Sequence, residues 1–262
     1  MKFYLGTHET SWLARVDFPL FVSHMRLRQR KTLPRARHPW ALDSGGFTQL
    51  AQHGSWTFTP RQYVTAVRRY ADEIGSLEFA APMDWMCEPF MTARTGLPVH
   101  EHQRRTTANY LELRHIAGDL PWIPVLQGWE PGDYLRHAHG YLRHGIDLAG
   151  LPRVGIGSVC RRQDTALGDW IIRSLAPIRL HGFGIKTGGL LRSGHRLTSA
   201  DSMAWSYNAR RHPPLDGCTH GSCANCPLWA ARWRRKVLAK FAATEAAGRQ
   251  GDLFDPDEAW AS

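Results

Sequence analysis

The sequence predicts an α/β fold, a (β/α)8 TIM barrel, on three observations. Its 262 residues suit one barrel of about 250 residues. Short β-branched or aromatic runs alternate with longer segments of helical period, the pattern that gives a parallel sheet. Polar residues recur where those runs end, and the carboxyl ends of its strands are where a parallel barrel gathers its chemistry.

Strands are expected near Lys2 to Thr7, Trp40 to Asp43, Leu77 to Pro82, Trp122 to Gln127, Arg153 to Gly157, Ile178 to Gly184 and Leu197 to Asp201. The clearest helix is Pro60 to Ile74, where Tyr63, Val67 and Tyr70 recur at helical spacing, Thr59 is placed as N-cap and Pro60 takes the first helical position. His100 to Ala117, Pro131 to His144 and Thr165 to Leu175 have the same period. The basic segment Met25 to Arg37 interrupts the alternation and is expected as a helix and loop beside the barrel, either contacting phosphate or simply solvated. A last helix, from about Leu228 to Ala247, interleaves Trp229 and Trp233 with Arg232, Arg234, Arg235 and Lys236; core packing is the simpler account of the two tryptophans. The tail from Gly248 is acidic and expected to be loosely ordered.

Lys and Arg number 33 against 23 Asp and Glu, a formal charge of +10, so a polyanion such as nucleic acid is the first partner to test, with a merely solvated basic surface as the alternative. No run approaches the ~18 apolar residues of a membrane span, and a cytoplasmic protein is expected. Of five cysteines, Cys218, Cys223 and Cys226 crowd into nine residues. That spacing argues for a metal in a reducing compartment rather than a disulfide framework.

At the strand ends, Asp43 closes Trp-Ala-Leu, Asp84 follows Ala-Ala-Pro-Met, Gln127 follows Ile-Pro-Val-Leu, Ser158 follows Val-Gly-Ile-Gly, His181 interrupts Leu-His-Gly-Phe-Gly, and Asp201 follows Thr-Ser-Ala. One such aspartate is most simply a helix cap. Three together favour a site, and the neighbouring Gly45, Gly46, Gly128, Gly157 and Gly184 would let a flat ligand approach the backbone.

Asp43-Ser44-Gly45-Gly46-Phe47 resembles the Asp-Ser-Gly-Gly-aromatic signature of the tRNA-guanine transglycosylase superfamily, and the later landmarks follow in that superfamily's order. The phrases Met-Asp-Trp-Met-Cys-Glu-Pro, Val-Leu-Gln-Gly-Trp-Glu, Gly-Ile-Gly-Ser-Val-Cys-Arg-Arg-Gln and Ala-Asp-Ser-Met-Ala-Trp resemble its deazapurine DNA-modification branch, whose members insert 7-deazaguanines into phage or bacterial DNA. The ordered set spans Lys2 to Cys226 and is far more specific than any one motif. Three positions depart from the pattern: Thr48 for Gln, Trp85 for Glu and Ser158 for the second turn glycine.

The resemblance implies a pentosyltransferase that exchanges guanine in DNA for a 7-deazaguanine, 7-cyano-7-deazaguanine first, through a covalent glycosyl-aspartate. It makes Asp201 the nucleophile. A carboxylate can trap the sugar carbon, and a second one, assigned to Asp43, can protonate the leaving base and deprotonate the incoming one. Asp84 and Gln127 would read the hydrogen-bonding edge of the base, assisted by Ser44, Gly157 and Ser158, while Phe47 and His181 would sandwich its ring. A duplex target must be flipped out, and Arg161, Arg162, Arg232 and Arg235 are the candidate contacts to the nucleic-acid backbone.

Cys218, His220, Cys223 and Cys226 have spacings that suit a structural zinc ion, Zn2+, with upstream His212 as an alternative fourth ligand and an iron–sulfur cluster as the rival metal group. Cys87 and Cys160 are expected as packing residues. The full expectation is therefore a barrel over 1–211, a zinc-binding loop and basic helix over 212–247 packed on it, and a tail over 248–262. Action on tRNA, a non-catalytic zinc-containing nucleic-acid-binding module, and a metal hydrolase built on His100-Glu101-His102 are the competing readings. A homodimer or accessory modification proteins remain open as partners.

Overall fold

The computed structural model describes residues 1–159 and 165–252. In chain order the elements are β1 (Lys2–Thr7), β2 (Leu20–Ser23), α1 (His24–Leu27), β3 (Trp40–Asp43), α2 (Gly46–His53), α3 (Pro60–Glu73), β4 (Leu77–Ala80), α4 (Pro89–Thr95), α5 (Val99–Ile116), β5 (Val125–Leu126), α6 (Pro131–Arg143), β6 (Val154–Ile156), α7 (Ala166–Ser174), β7 (Leu180–Gly182), α8 (Thr187–Ser193), β8 (Ser199–Ser202), α9 (Ala204–Ala209) and α10 (Pro227–Asp252). No described helix is long and apolar enough to cross a membrane.

The strands make one curled, eight-stranded sheet in the order β4-β3-β2-β1-β8-β7-β6-β5, parallel at each junction. Helices flank it. A parallel bridge between Ala80 and Trp122 also joins β4 to the chain just ahead of β5, with Ala80 N–H donating to Pro121 O at 2.9 Å and Ile123 N–H to Ala80 O at 3.2 Å. Strand alternation explains the two buried layers: in β1, Phe3 and Leu5 face the outer core shared with the helices, whereas Tyr4 joins Phe21, Ala41, Phe79 and Ile123 in an inner cluster. Both faces are covered, which is why these strands are nearly continuous apolar runs.

Two expected strands, Lys2 to Thr7 and Trp40 to Asp43, have the observed bounds. Helix α3 starts as expected: Thr59 and Gln62 form a reciprocal capping box behind Pro60. Strand β2 was not expected; four residues between Pro19 and His24 are too short to stand out by alternation. Only Val125 and Leu126 of the expected Trp122 to Gln127 strand join a ladder, because Pro121 and Pro124 have no N–H to offer. Helix α10 runs past the expected end at Ala247 to Asp252; the rest of the tail lies outside the described residues. The basic segment begins with α1 and is tied to α3, since Arg35 donates to the carbonyls of Asp72 and Glu73 at that helix's C-terminus and Arg69 donates to those of Arg30 and Lys31.

Ser158, the residue that departs from a glycine pattern, has φ +57°, the left-handed region in which a side chain costs about 1–2 kcal/mol. Its hydroxyl accepts from Cys87 N–H at 2.8 Å and donates to Gln127 Oε1 at 2.7 Å. Replacing it therefore separates strain from bonding: Ser158→Ala keeps the strain and loses the bonds, whereas Ser158→Gly loses both. Urea unfolding is expected to find Ser158→Ala less stable than Ser158→Gly by about 1 kcal/mol; equal stabilities would show that φ imposes no cost here.

Candidate active site

A cavity of about 340 Å³ opens at the carboxyl ends of the strands, and each of the eight strands delivers a residue to it directly or through the turn that follows. Asp43 ends β3 and Asp201 lies within β8; both line the cavity. Asp84, Gln127, Gly157, Ser158 and Phe47 line it as well. The sheet thus brings together seven residues whose sequence positions span Asp43 to Asp201.

Asp43 reaches the cavity although protein surrounds most of it. Burial pushes its carboxyl pKa up and the charge of Asp201 adds to the rise, while hydrogen bonds from Ser23 and from the Gly45 amide oppose it. Gly45 has φ +83°, and a Cβ there would lie 2.4 Å from Met25 Cγ. Only glycine supplies both the turn and the amide at that point. Asp201 accepts a hydrogen bond from Gly184 N–H at 3.0 Å.

Across the cavity, a chain of hydrogen bonds runs from Ser158 to Gln127 Oε1 (2.7 Å), from Gln127 Nε2 to Asp84 Oδ2 (2.6 Å) and from Ser44 Oγ to Asp84 Oδ1 (3.3 Å). Gln127 sits close because Gly157 has no side chain: a Cβ there would be 2.3 Å from Gln127 Nε2. Burial, with the nearby charge of Asp43, pushes the Asp84 carboxyl up to about 7 against the lowering pull of Gln127 and Ser44. Phe47, which lines the cavity, is 56% exposed, and its ring is 6.1 Å from that of Phe90.

His181 does not reach the base position expected of it. It is fully buried within β7, packed against Tyr4, Phe21, Phe79 and Phe183, because a mid-strand residue of the inner layer points into the hollow of the curled sheet rather than over its rim. Its Nδ1 is 2.9 Å from Ser199 Oγ, and its Nε2 is 3.3 Å from Asp201 Oδ1, off the line of a proper hydrogen bond. Burial lowers its pKa and Asp201 only partly restores it. Trp85, another departure from the family pattern, points away and packs with Leu50 and Met91 beneath the Arg105 guanidinium. Arg161, Arg162 and Cys160 lie outside the described residues. Arg232 and Arg235 are exposed on α10.

Sequence reasoning missed Glu88 and Ser23. Glu88 is buried, lines the cavity, and has Oε2 2.9 Å from Ser158 Oγ; the sequence around it carries no local sign of that distant contact. Ser23 came with the unexpected strand β2. His8, also missed, stands at the rim and accepts from Arg26 at 3.2 Å.

Outside the cavity, the ligand atoms of Cys218, His220, Cys223 and Cys226 lie within 4.8 Å of one another, an arrangement able to hold a metal ion. The Sγ of Cys218 is 3.9 Å from that of Cys223 and 4.0 Å from that of Cys226. His212 stays apart, bonded to Asn208 O and near the Trp229 ring. The His100-Glu101-His102 run forms no metal-ligand cluster among the described residues: His102 is buried against Thr95 and Met86, and Glu101 is held by Arg104 and Arg105.

A protein-family model described as DpdA: DeoxyPurine in DNA protein A matches residues 1–257. No curated protein matches the chain. With a carboxylate-lined cavity at the strand ends and a match over nearly its whole length, the chain belongs to the DpdA family, and is a pentosyltransferase that exchanges guanine for a 7-deazaguanine in DNA.

Proposed function

We propose that Asp201 is the nucleophile of this exchange and Asp43 its acid and base. The observation that carries the assignment is that the two carboxylates line one cavity close enough for Asp201 to raise the pKa of Asp43. Asp201 attacks C1′ of the target nucleotide, the C1′–N9 bond breaks, and guanine leaves with the bonding electrons and a proton from Asp43. The incoming 7-deazaguanine then gives its N9 proton to Asp43, and N9 displaces Asp201 from C1′. The raised pKa suits Asp43 to begin the cycle protonated, while the Gly184 amide holds one oxygen of Asp201 in place.

Asp84 reads the donor edge of the base. Both its oxygens are engaged by Gln127 and Ser44, so the arriving base exchanges for the Gln127 contact and takes over that amide as its own partner. Phe47 stacks on the ring and Ser158 closes the far edge. His181 acts as a positioning residue beneath Asp201 rather than a stacking one. Arg232 and Arg235 meet the DNA backbone, and 7-cyano-7-deazaguanine is the incoming base assigned first.

The finer architecture belongs to the same reading. The Ala80–Trp122 bridge is taken as the seam that closes a (β/α)8 barrel over 1–211, and the segment from 212 through α10 as a zinc-binding subdomain with a basic helix. Tetrahedral Zn2+ with Zn–S bonds of about 2.3 Å separates its sulfurs by roughly 3.8 Å, close to the 3.9 and 4.0 Å seen between the cysteines. Four protein donors would leave no open position, so its contribution is a crosslink. Free cysteines at Cys87, Cys218, Cys223 and Cys226 support a reducing, cytoplasmic setting.

The deciding experiment mixes the protein with labelled guanine or 7-cyano-7-deazaguanine and either DNA or tRNA. Label is expected in DNA for wild type, with losses of at least about a thousandfold in Asp201→Asn and about a hundredfold in Asp43→Asn. Full activity in Asp201→Asn would overturn the nucleophile, label in tRNA alone would restore the tRNA reading, and DNA binding without exchange would favour the non-catalytic module.

Since Asp84 accepts at both oxygens only when ionised and its carboxyl is pushed up to about 7, affinity for free guanine should fall by up to about tenfold per pH unit below that value and level off above it. Calorimetry across pH 5 to 9 tests the profile, and a flat one would remove Asp84 from base reading. For the metal, Cys223→Ser should lose about one equivalent of zinc by elemental analysis and unfold at lower temperature; retained zinc, or iron in its place, would count against the assignment.

A further inference from the structure

A second cavity, of about 450 Å³, lies between α8, α9 and α10 and is separate from the transglycosylation site. Its α10 wall presents Trp229, Arg232, Trp233, Lys236 and Lys240 at spacings of three and four, which is one face of a helix. Buried Ala230, Val237 and Phe241 anchor that helix in the main core, so the face is held rigidly. The two tryptophans are half-buried, packed against the core on one side and lining the cavity on the other. The indole N–H of Trp229 is buried with no acceptor among the described residues, which leaves a donor to be satisfied. Arg232, Lys236 and Lys240 are exposed, and none is paired with a carboxylate among the described residues.

Aromatic faces beside several unpaired cations make up the combination that holds a nucleotide, with stacking for the base and charge for the phosphate. An acidic peptide would use the cations and leave the indoles idle. The cavity is within the size range of small-ligand pockets. It is also near the exchange site: Gly184 lines that site and Thr187 lines this one, and three residues of chain span at most about 11 Å. A strand that advances about 3.4 Å per stacked nucleotide covers that distance in roughly three steps.

We infer that this cavity is a second nucleotide subsite, which takes a base and phosphate of the substrate strand about three nucleotides from the target guanine. It rests on the reading of the chain as an enzyme acting on DNA. It serves to hold the strand while the target base is extruded, and it acts on binding rather than on chemistry.

The test compares single-stranded 5-mers and 13-mers with a central guanine. For wild type, KM for the 13-mer should be about tenfold lower than for the 5-mer. In Trp229→Ala and in Lys236→Glu that advantage should vanish, with kcat on saturating 13-mer within about twofold of wild type. Lys236 is exposed, so its variant remains informative if Trp229→Ala disturbs the adjacent cysteine cluster, and Arg143→Glu, an exposed charge reversal elsewhere, should keep the advantage. Variants that retain the length advantage overturn the subsite. So does weakened binding of free dAMP with the length advantage intact, which would make the cavity a mononucleotide site. If wild type exchanges no base on any DNA, the enzymatic reading fails on its own. The subsite is then judged by fluorescence polarisation of a labelled 13-mer, where an affinity unchanged by Lys236→Glu overturns it and a loss of about tenfold supports it.

Discussion

Four carboxylates line one cavity, and the mutual repulsion of three of them, Asp43, Asp84 and Asp201, is the constraint around which the rim is built. Like charges in partly dry surroundings repel by about a few kcal/mol at close range. Among the described residues the donors to these carboxylates are neutral: Ser23 and the Gly45 amide at Asp43, the Gly184 amide at Asp201, Gln127 and Ser44 at Asp84. A lysine or arginine would lower the repulsion further, but it would also hold every carboxylate ionised. Hydrogen-bond donors leave Asp43 and Asp84 raised, a poise that suits the proton transfer proposed for Asp43.

The same requirement accounts for the backbone of the rim. Amide donors reach a carboxylate only where the chain turns tightly, which is the role of Gly45, and a glutamine can lie against the strand end only where no side chain stands, which is the role of Gly157. Ser158 shows what happens when the pattern is broken. It keeps the left-handed backbone of a glycine, and its hydroxyl is drawn into the chain that ends on Asp84. The departure from glycine thus adds a polar link to the chain proposed to read the base and places Glu88 beside it.

The parts of this design that were legible in the sequence are those written in local chemistry. Strand-end aspartates, the glycines beside them and the Thr59-Pro60 start of α3 each have a short-range signature, and they lie where expected. What stayed hidden depends on contacts distant in the chain. Ser23 supports Asp43 from a strand too short to show alternation, Glu88 meets Ser158 across 70 residues, and the break in the fifth strand follows from two prolines within an apolar run. His181 was misjudged for a related reason: its position near a strand end suggested the rim, whereas the pleat turns it inward.

That inward turn links the core to the chemistry. His181 is enclosed by aromatic rings from β1, β2 and β4 and from Phe183, is bonded at Nδ1 to Ser199, and presents Nε2 to Asp201. Its lowered pKa favours the neutral imidazole, which places no positive charge beneath the carboxylate proposed as the nucleophile. Apolar packing of the floor therefore does more than stabilise the sheet. It holds a polar group in one orientation under Asp201, and the parallel register of β1, β7 and β8 ties that group to the rim where Asp43, Asp84 and Asp201 stand.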